Sequence, residues 1–232
     1  MIEEQSSRRF DMIDAAAIGL TLVQAGLAAY VYAFGPEGRI VVHFDIYGHP
    51  NGWADRQALG IGMGVLAAVS LLINVAIRLG AGGRPGAAGI QRTTSMTRTL
   101  LIAVGALVTA LLASLAFAPG GGIGQQRLSL TIAWLVVVVI GAFVGKAAPN
   151  AFVGVRVYWT LRSRLAWDKA NRLLGRILFL GGLIGLLAMP FVELGRGMSL
   201  VLVWFMIVGL GGGVLAIVES WRVWRTDPER IP

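Results

Sequence analysis

The chain has 232 residues, of which 56% are hydrophobic and only 14% are charged, and its formal net charge is +8. This composition leaves too little polar surface for a water-soluble globule of this size and predicts a protein embedded in a bilayer. The basic residues are scattered among apolar runs, which argues against direct nucleic-acid binding and favours positively charged membrane loops. The chain has no cysteine, so disulfides and thiolate chemistry are excluded.

The first apolar run extends from 12 to 34 and follows Arg8 and Arg9. It is long enough to span a bilayer, and no A-x-A-like cleavage site leads from it into a polar domain, so we expect a retained signal anchor. Asp11 and Asp14 lie where carboxylates stabilise a helix amino terminus. Gln24 is an amide deep in this run, and an interhelical hydrogen bond is its expected role, as it is for Asn74 further along the chain.

Five more apolar runs follow, and together the six predict an all-α, polytopic integral membrane protein with six transmembrane helices, because only helices satisfy their own backbone groups in lipid this way. Glycine pairs four residues apart recur in the runs and predict close helix packing within one bundle. The six runs cover 12–34, 57–79, 97–118, 128–148, 173–192 and 198–218, and the glycine pairs are Gly60 and Gly64, Gly141 and Gly145, Gly181 and Gly185, and Gly209 and Gly213.

The distribution of Lys and Arg predicts the orientation of these spans. Of the 20 basic residues, 16 fall in the amino-terminal tail, the second and fourth loops and the carboxyl-terminal tail, when the ends of the adjoining spans are counted with them. The positive-inside rule therefore predicts that both termini are cytoplasmic and that the loop 35–56 faces outward. We divide the chain into an amino-terminal membrane region, 1–96, with two spans, and a membrane domain, 97–232, with four.

The outward loop holds both histidines of the protein, His43 and His49, beside Asp45 and Asp55. Ile40 to Ile46 is predicted to be extended, and the Gly, Pro and Asn residues from 47 to 52 predict consecutive turns. Imidazole and carboxylate groups in one short loop suit zinc, with His43, Asp45 and His49 as candidate ligands. The alternative is hydrogen bonding within a turn-rich loop, with no cofactor.

The stretch 149–175 faces the cytoplasm in this topology and mixes aromatic with basic side chains, as expected at a lipid–water boundary. Pro149 is predicted to end the fourth helix. Thr160 or Ser163 is predicted to cap a helix that runs through Trp167 and Asn171 into the fifth span, so a short interfacial helix precedes that span, with Trp167 toward lipid. The alternative is a docking or gating site that contains Asn150, Arg156 and Trp159.

This stretch resembles the signature of the SdpI family, bacterial membrane proteins named for an immunity protein against a killing-factor peptide. Asn171 stands where the family has a histidine. The outward loop is similar to a small membrane domain of unknown function that often precedes the signature, through His43-Phe44-Asp45, Gly48, Pro50 and Asp55. The signature residues are Pro149, Asn150, Phe152, Gly154, Arg156, Trp159, Thr160, Trp167, Lys169, Asn171, Arg172 and Gly175.

The resemblance implies a protein of the bacterial cytoplasmic membrane that protects the cell from a membrane-active peptide toxin. It also implies signalling, in which the toxin-engaged protein holds a transcriptional repressor at the membrane. Two alternatives remain, a small-solute or ion transporter or channel, and a metal-binding membrane sensor or enzyme. No nucleophile is paired with a general base in the sequence, so we expect no enzymatic activity.

Overall fold

A computed structural model describes residues 10–80, 88–117, 122–150 and 153–231. Six helices in these ranges are long and apolar enough to cross a membrane, which confirms the predicted fold class and number of spans. The six spans are Met12–Phe34, Arg56–Leu79, Thr94–Phe117, Ile123–Val144, Arg164–Phe191 and Gly197–Thr226.

The elements follow one another as an up-and-down bundle with one β-hairpin between the first two spans. A 3₁₀ turn, Met189–Phe191, ends the fifth span, and a π-helical turn, Ile207–Gly211, interrupts the sixth. The elements are α1 Met12–Phe34, β1 Ile40–Phe44, β2 Pro50–Ala54, α2 Arg56–Gly80, α3 Ala88–Phe117, α4 Ile123–Val144, α5 Tyr158–Arg162, α6 Arg164–Ala188, α7 Leu194–Met206 and α8 Gly212–Thr226.

The first span begins and ends where the sequence predicts. Asp11 and Asp14 form a reciprocal capping box, in which each carboxylate accepts the backbone N–H of the other residue at 2.8 and 3.0 Å. Pro149 does not end α4, so that prediction is wrong. The helix already stops at Val144, and the backbone N–H of Gly145 turns back to the carbonyl of Phe143.

Ser163 is the cap of the helix that leads into the fifth span, as predicted, whereas the interfacial position of its first turns stays a prediction. Ser163 Oγ accepts the Ala166 N–H at 2.9 Å, and α6 continues from Arg164 through Trp167 and Asn171 to Ala188. The short α5 precedes it. Trp167 does not face lipid as predicted, because its side chain is fully buried in the protein.

Small residues set the closest helix contacts, as predicted for packing within the bundle. A Cβ at Gly175 would lie 2.9 Å from the carbonyl oxygen of Gly141, so α4 and α6 touch through their backbones. A Cβ at Gly60 would lie 2.8 Å from that of Tyr32, which brings α1 and α2 equally close. Gly209 and Gly213 are different, since nothing in the described residues lies within 4 Å of a Cβ built on either.

The β-hairpin is the exception to the all-helical expectation. The predicted extended segment is β1, but the residues predicted as consecutive turns include a second strand, β2, that pairs with it antiparallel. Ile40 pairs with Ala54 and is completely buried, together with Val31 of α1 and Leu59 of α2. Burial of Ile40 in a cluster formed with α1, α2 and α3 provides the apolar contact that a two-stranded ribbon lacks on its own.

Candidate functional sites at the two ends of the bundle

The turn of the hairpin is built around Asp45. Its Oδ1 accepts the backbone N–H of Tyr47 at 2.8 Å and of His49 at 2.9 Å, and its own N–H donates to the carbonyl of His49. Gly48 has φ of +85°, a left-handed conformation that favours glycine. The backbone N–H of His49, with that of Tyr47, lowers the pKa of the Asp45 carboxyl below its usual value of 3.8. The turn is therefore formed around an ionised carboxylate.

The two histidines use their rings within the hairpin. His43 Nδ1 is hydrogen-bonded to Asn51 Oδ1, whereas His49 Nδ1 lies 3.5 Å from Asp45 Oδ2. Within the described ranges, no group of three or more His, Cys, Asp or Glu side chains is arranged to hold a metal ion. The three predicted ligands are thus not brought together, and zinc binding stays a prediction that elemental analysis of the purified protein would check.

Asp55, the fourth predicted residue of this loop, lies at the junction of β2 and α2. Its Oδ1 accepts the N–H of Ala58 at 2.7 Å, which is the contact of a helix amino-terminal cap. The side chain is exposed but already has this structural role. Neighbouring Arg56 donates to the carbonyl of Gly35 at 3.3 Å and lies 3.8 Å from Glu37, so both ends of the loop are tied together.

The turn of the hairpin is docked on the second half of the bundle. Gln126 of α4 donates from Nε2 to the carbonyl of Gly48 at 2.7 Å, and this hydrogen bond is buried. A Cβ at Gly48 would lie 3.6 Å from Met198 Cε and 3.7 Å from the Leu194 carbonyl, so the turn also rests on α7. Beside this contact lies a pocket of about 220 Å³ between β1 and helices α3, α4 and α7.

At the opposite end of the bundle, the segment 146–163 connects α4 to α6 and is called the signature loop below. Asn150 and Asn171 hold this loop together. Asn150 Oδ1 accepts the Val153 N–H at 2.8 Å, and its amide donates to the carbonyls of Ala148 and Val153. Asn171 Oδ1 accepts the Val155 N–H at 2.7 Å across sixteen residues. Each amide therefore replaces a backbone partner that the irregular loop does not provide.

Trp167 and Gly154 fix the same loop against α6. The indole N–H of Trp167 donates to the carbonyl of Ala147 at 2.8 Å, although the two residues are twenty apart. Gly154 has φ of +127°, and a Cβ there would lie 2.7 Å from Asn171 Oδ1 and 2.9 Å from the Trp167 ring. Any side chain at Gly154 would therefore push the loop off the helix.

The other signature residues divide into buried and exposed groups. Thr160 is 2% exposed, and its Oγ1 accepts the Val157 N–H and donates to the Val155 carbonyl. Arg156 and Arg172 are exposed, Trp159 is half-buried, and Pro149 is exposed beyond the end of α4. Phe152 lies outside the described residues. The structure brings most of the signature together as a folded element, and Arg156 and Arg172 place its charges on the surface.

The tail after α8 closes over this loop. Ser163 Oγ donates to the carboxylate of Asp227, and both side chains are buried. The N–H of Ile231 donates to the carbonyl of Arg162 at 2.9 Å, and the Tyr158 and Trp224 rings meet edge to face at 5.9 Å. The end of the sixth span is thus bound to the signature loop by polar and aromatic contacts.

Sequence reasoning missed a buried ionic cluster near the same end. Asp14 is 3% exposed, and its two oxygens lie 2.8 Å from Arg78 Nη1 and 2.7 Å from Arg98 Nη2. The cluster joins α1, α2 and α3. The available clue was that three charged residues lie at the same end of three predicted spans, where pairing reduces the cost of burying charge.

The predicted amide hydrogen bonds have different outcomes. Gln24 donates to Thr109 Oγ1 on α3 at 2.9 Å, which confirms the interhelical prediction. Asn74 instead donates to the Ser70 carbonyl within its own helix, so that prediction is wrong. Gln24 Oε1 and Asn74 Oδ1 are buried with no hydrogen-bond partner in the part of the chain that the structure describes.

These features define a multi-pass helical membrane protein with an ordered hairpin at one end and an ordered polar loop at the other. Residues 146–219 match the model of the SdpI/YfhL protein family, so this segment of the chain is similar to that family. The match begins one residue after the end cap of α4 and ends within α8, so it includes the whole signature loop. No curated protein and no solved structure gives a significant match to the chain.

Proposed function

We propose that this protein is a non-enzymatic receptor of the SdpI type in the bacterial cytoplasmic membrane, which senses a membrane-active peptide toxin and protects the cell from it. The observation that carries the proposal is the position of the sixth span. At one end, Met198 of the span and Leu194, at the start of α7 just before it, lie against the turn of the hairpin. At the other, Trp224 contacts Tyr158, and Asp227, directly after the helix, accepts a hydrogen bond from Ser163.

One helical segment therefore touches both loops that resemble the family. Coupling between distant sites travels through packed side chains and rigid elements that connect them, and α7, the π-helical turn and α8 form such an element. The distribution of basic residues supports an outward hairpin and a cytoplasmic signature loop. In this orientation a toxin meets the hairpin, and the sixth span connects that event to the inner surface.

The inner surface offers the charges that a cytoplasmic partner would need. Arg156, Arg164, Lys169 and Arg172 are all exposed around the signature loop. A protein partner with an acidic surface, such as a transcriptional repressor held at the membrane, would be steered to this face by its charge. The basic face supports this part of the proposal by charge complementarity.

The first test is survival of a toxin-sensitive bacterium that makes this protein, challenged with the peptide toxin of the family. We expect protection by the intact chain and reduced protection by Asp45→Ala and Ile46→Ala in the hairpin. Ile61→Ala on α2 is the matched control, because Ile61 is 59% exposed and Ile46 is 55% exposed. Equal membrane levels of all variants are required, and no protection by the intact chain would reject the proposal.

A second experiment addresses signalling. Transcripts are compared with and without the toxin in cells that make the intact chain or Arg156→Ala. We expect Arg156→Ala to weaken the transcriptional response while survival is retained. Arg156 lies in the signature loop, at the end of the bundle opposite the hairpin, and this change leaves the hairpin intact. A transcriptional response unchanged by Arg156→Ala together with Arg172→Ala would remove the repressor-binding part of the proposal.

Transport of a small solute or ion is the second candidate. It is favoured by the buried polar side chains between α1, α2 and α3, where Gln24 and Asn74 each have an oxygen without a partner among the described residues. Buried polar groups in a membrane interior often line a pathway. Solute and ion flux in proteoliposomes tests this candidate, and flux no higher than in empty vesicles would reject it.

A further inference from the structure

The pocket beside the hairpin is assembled from both regions of the chain. One wall is β1 and the turn after it, and the other walls are the ends of three helices that meet at the hairpin end of the bundle. Its lining is mainly apolar, with a few polar side chains from the hairpin and α4. The residues that define it are Val42, Phe44, Leu115, Ser129, Met198 and Leu202.

The volume of the pocket limits what it holds. An engineered cavity of about 150 Å³ lined by aliphatic and aromatic side chains accepts benzene, whereas sites for drug-sized ligands occupy roughly 300–1,000 Å³. At about 220 Å³, this pocket has room for one aromatic ring or branched aliphatic group. The rest of any ligand therefore lies outside it, over the surface of the hairpin.

The pocket lies close to the ends of the three helices that form it. Its helical lining residues are two to eight positions from the helix ends at Phe117, Ile123 and Leu194, which is about 3–12 Å along a helix at 1.5 Å per residue. Amphipathic helices bury their apolar face about 5–10 Å into the boundary between headgroups and acyl chains. Such a peptide would present apolar side chains at the level of the pocket.

The surface around the pocket suits the remainder of an amphipathic peptide. Ile46, Tyr47 and Trp53 are apolar or aromatic side chains of the hairpin that are 55%, 63% and 50% exposed. Asp45 lines the pocket and offers a carboxylate to a cationic residue of the peptide. Apolar anchors surrounded by polar groups are typical of peptide recognition sites.

We propose that this pocket receives one apolar side chain of an amphipathic cationic peptide that lies on the membrane surface at the hairpin end. The inference rests on the proposed receptor function, because it names the contact through which the toxin is recognised. It assigns the anchor to the pocket formed by β1, α3, α4 and α7, and the peptide backbone to the exposed face of the hairpin.

Single-cysteine labelling tests the proposal, since the chain has no cysteine of its own. Ser129→Cys and Leu202→Cys place reporters in the pocket on two different helices, and Gly124→Cys is a matched exposed control on the first turn of α4, where a Cβ meets nothing within 4 Å. Each variant is reconstituted in vesicles of phosphatidylethanolamine and phosphatidylglycerol. The rate of reaction with a small methanethiosulfonate is then measured with and without a synthetic amphipathic peptide of leucine and lysine.

We expect the peptide to slow labelling of both pocket cysteines and to leave the Gly124→Cys rate unchanged. At a peptide concentration about ten times its Kd the rate should fall about tenfold, because labelling follows the free fraction of sites. Adding Ser129→Phe to the Leu202→Cys reporter fills the pocket and should abolish the slowing. A single-chain lysophospholipid is the comparison probe.

Three results would overturn the proposal. These are unchanged labelling of both pocket cysteines, equal slowing of the Gly124→Cys control, and slowing by the lysophospholipid but not by the peptide, which would assign the pocket to a lipid chain. Failure of the proposed function is distinguishable from these results. Peptide-dependent slowing without a survival benefit would reject the receptor role alone, and a survival benefit without slowing would reject the pocket alone.

Discussion

In both the hairpin and the signature loop, side chains accept hydrogen bonds from the backbone, but these side chains differ in how far they are exposed. Asp45 accepts two backbone N–H groups in the turn of the hairpin. Asn150 and Asn171 accept one each in the loop. The side chains of Asp45 and His49 are 31% and 79% exposed, whereas Asn171 is 1% exposed and Trp167 is fully buried. One segment is organised on the surface, and the other is organised inside the protein.

This difference separates residues that keep the fold from residues that remain available to a partner. A buried hydrogen-bonded side chain is costly to remove, because its backbone partner is left unsatisfied. An exposed side chain is replaced at little cost in stability and is free to contact a ligand. The signature residues of the loop are therefore mainly structural, and the hairpin residues are better placed for recognition.

The largest expected effect is that of Trp167→Ala. The change removes a buried indole and its hydrogen bond to Ala147, and we expect the free energy of unfolding to fall by about 3–5 kcal/mol. Trp53→Ala is the control, since that ring is 50% exposed, and its effect should be below about 1 kcal/mol. Both variants are heated in detergent, and size-exclusion chromatography then measures the fraction of each that is still folded. Equal losses would contradict the contrast between the two segments.

Asn171→Ala should have the next largest effect. It leaves the buried N–H of Val155 without its acceptor, at a cost of about 1–3 kcal/mol. Asn51→Ala in the exposed hairpin should lower the free energy of unfolding, measured by the same heating experiment, by less than about 0.5 kcal/mol. If Asn171→Ala were as stable as the intact chain, the loop would not depend on this amide.

Gln126→Leu is expected to loosen the hairpin without unfolding the bundle. The carbonyl of Gly48 loses a buried hydrogen bond. If this lowers the free energy of local opening by about 1 kcal/mol, the equilibrium constant for opening of the hairpin rises about fivefold. Hydrogen exchange at the Asp45 N–H, which donates to His49, measures this opening. Gln57→Leu, at an exposed position of α2, is the matched control and should leave the exchange rate unchanged.

The smallest effect concerns pH and the Asp45 turn. The pKa of Asp45 is lowered in the folded protein, so the turn is stabilised above the usual value of 3.8, and that stabilisation is lost as the pH falls through the lower folded pKa. We expect the amide resonances of Tyr47 and His49 to shift between about pH 5 and pH 2. Asp45→Asn should remove this pH dependence, and a turn that is insensitive to acid in the intact chain would contradict the assignment.

The sequence predicts the spans well because length and hydropathy alone determine them. It predicts the burial of Trp167 wrongly, because a tryptophan among basic residues is typical of a membrane interface, and the contact that buries it is twenty residues away. The cluster of Asp14, Arg78 and Arg98 was not predicted for a similar reason. Helix packing brings together residues that no local sequence pattern connects.

The hairpin shows a second limit. Pro50, Asn51 and Gly52 are turn-forming residues, yet they belong to a strand, because pairing with β1 and burial of Ile40 outweigh local preference. The pocket and the contact of Gly48 with Gln126 depend on the docking of distant elements. Sequence patterns therefore identified both segments of interest, and only the three-dimensional packing shows what each side chain contacts.

The closure of the tail over the signature loop has a practical consequence for labelling this protein. The Ile231 amide and the Asp227 carboxylate are both bonded to residues around α5. A fluorescent or affinity tag fused directly after Ile231 would disturb these hydrogen bonds and therefore the signature loop. A long flexible spacer, or a tag placed ahead of the first span, keeps that loop intact during purification and imaging.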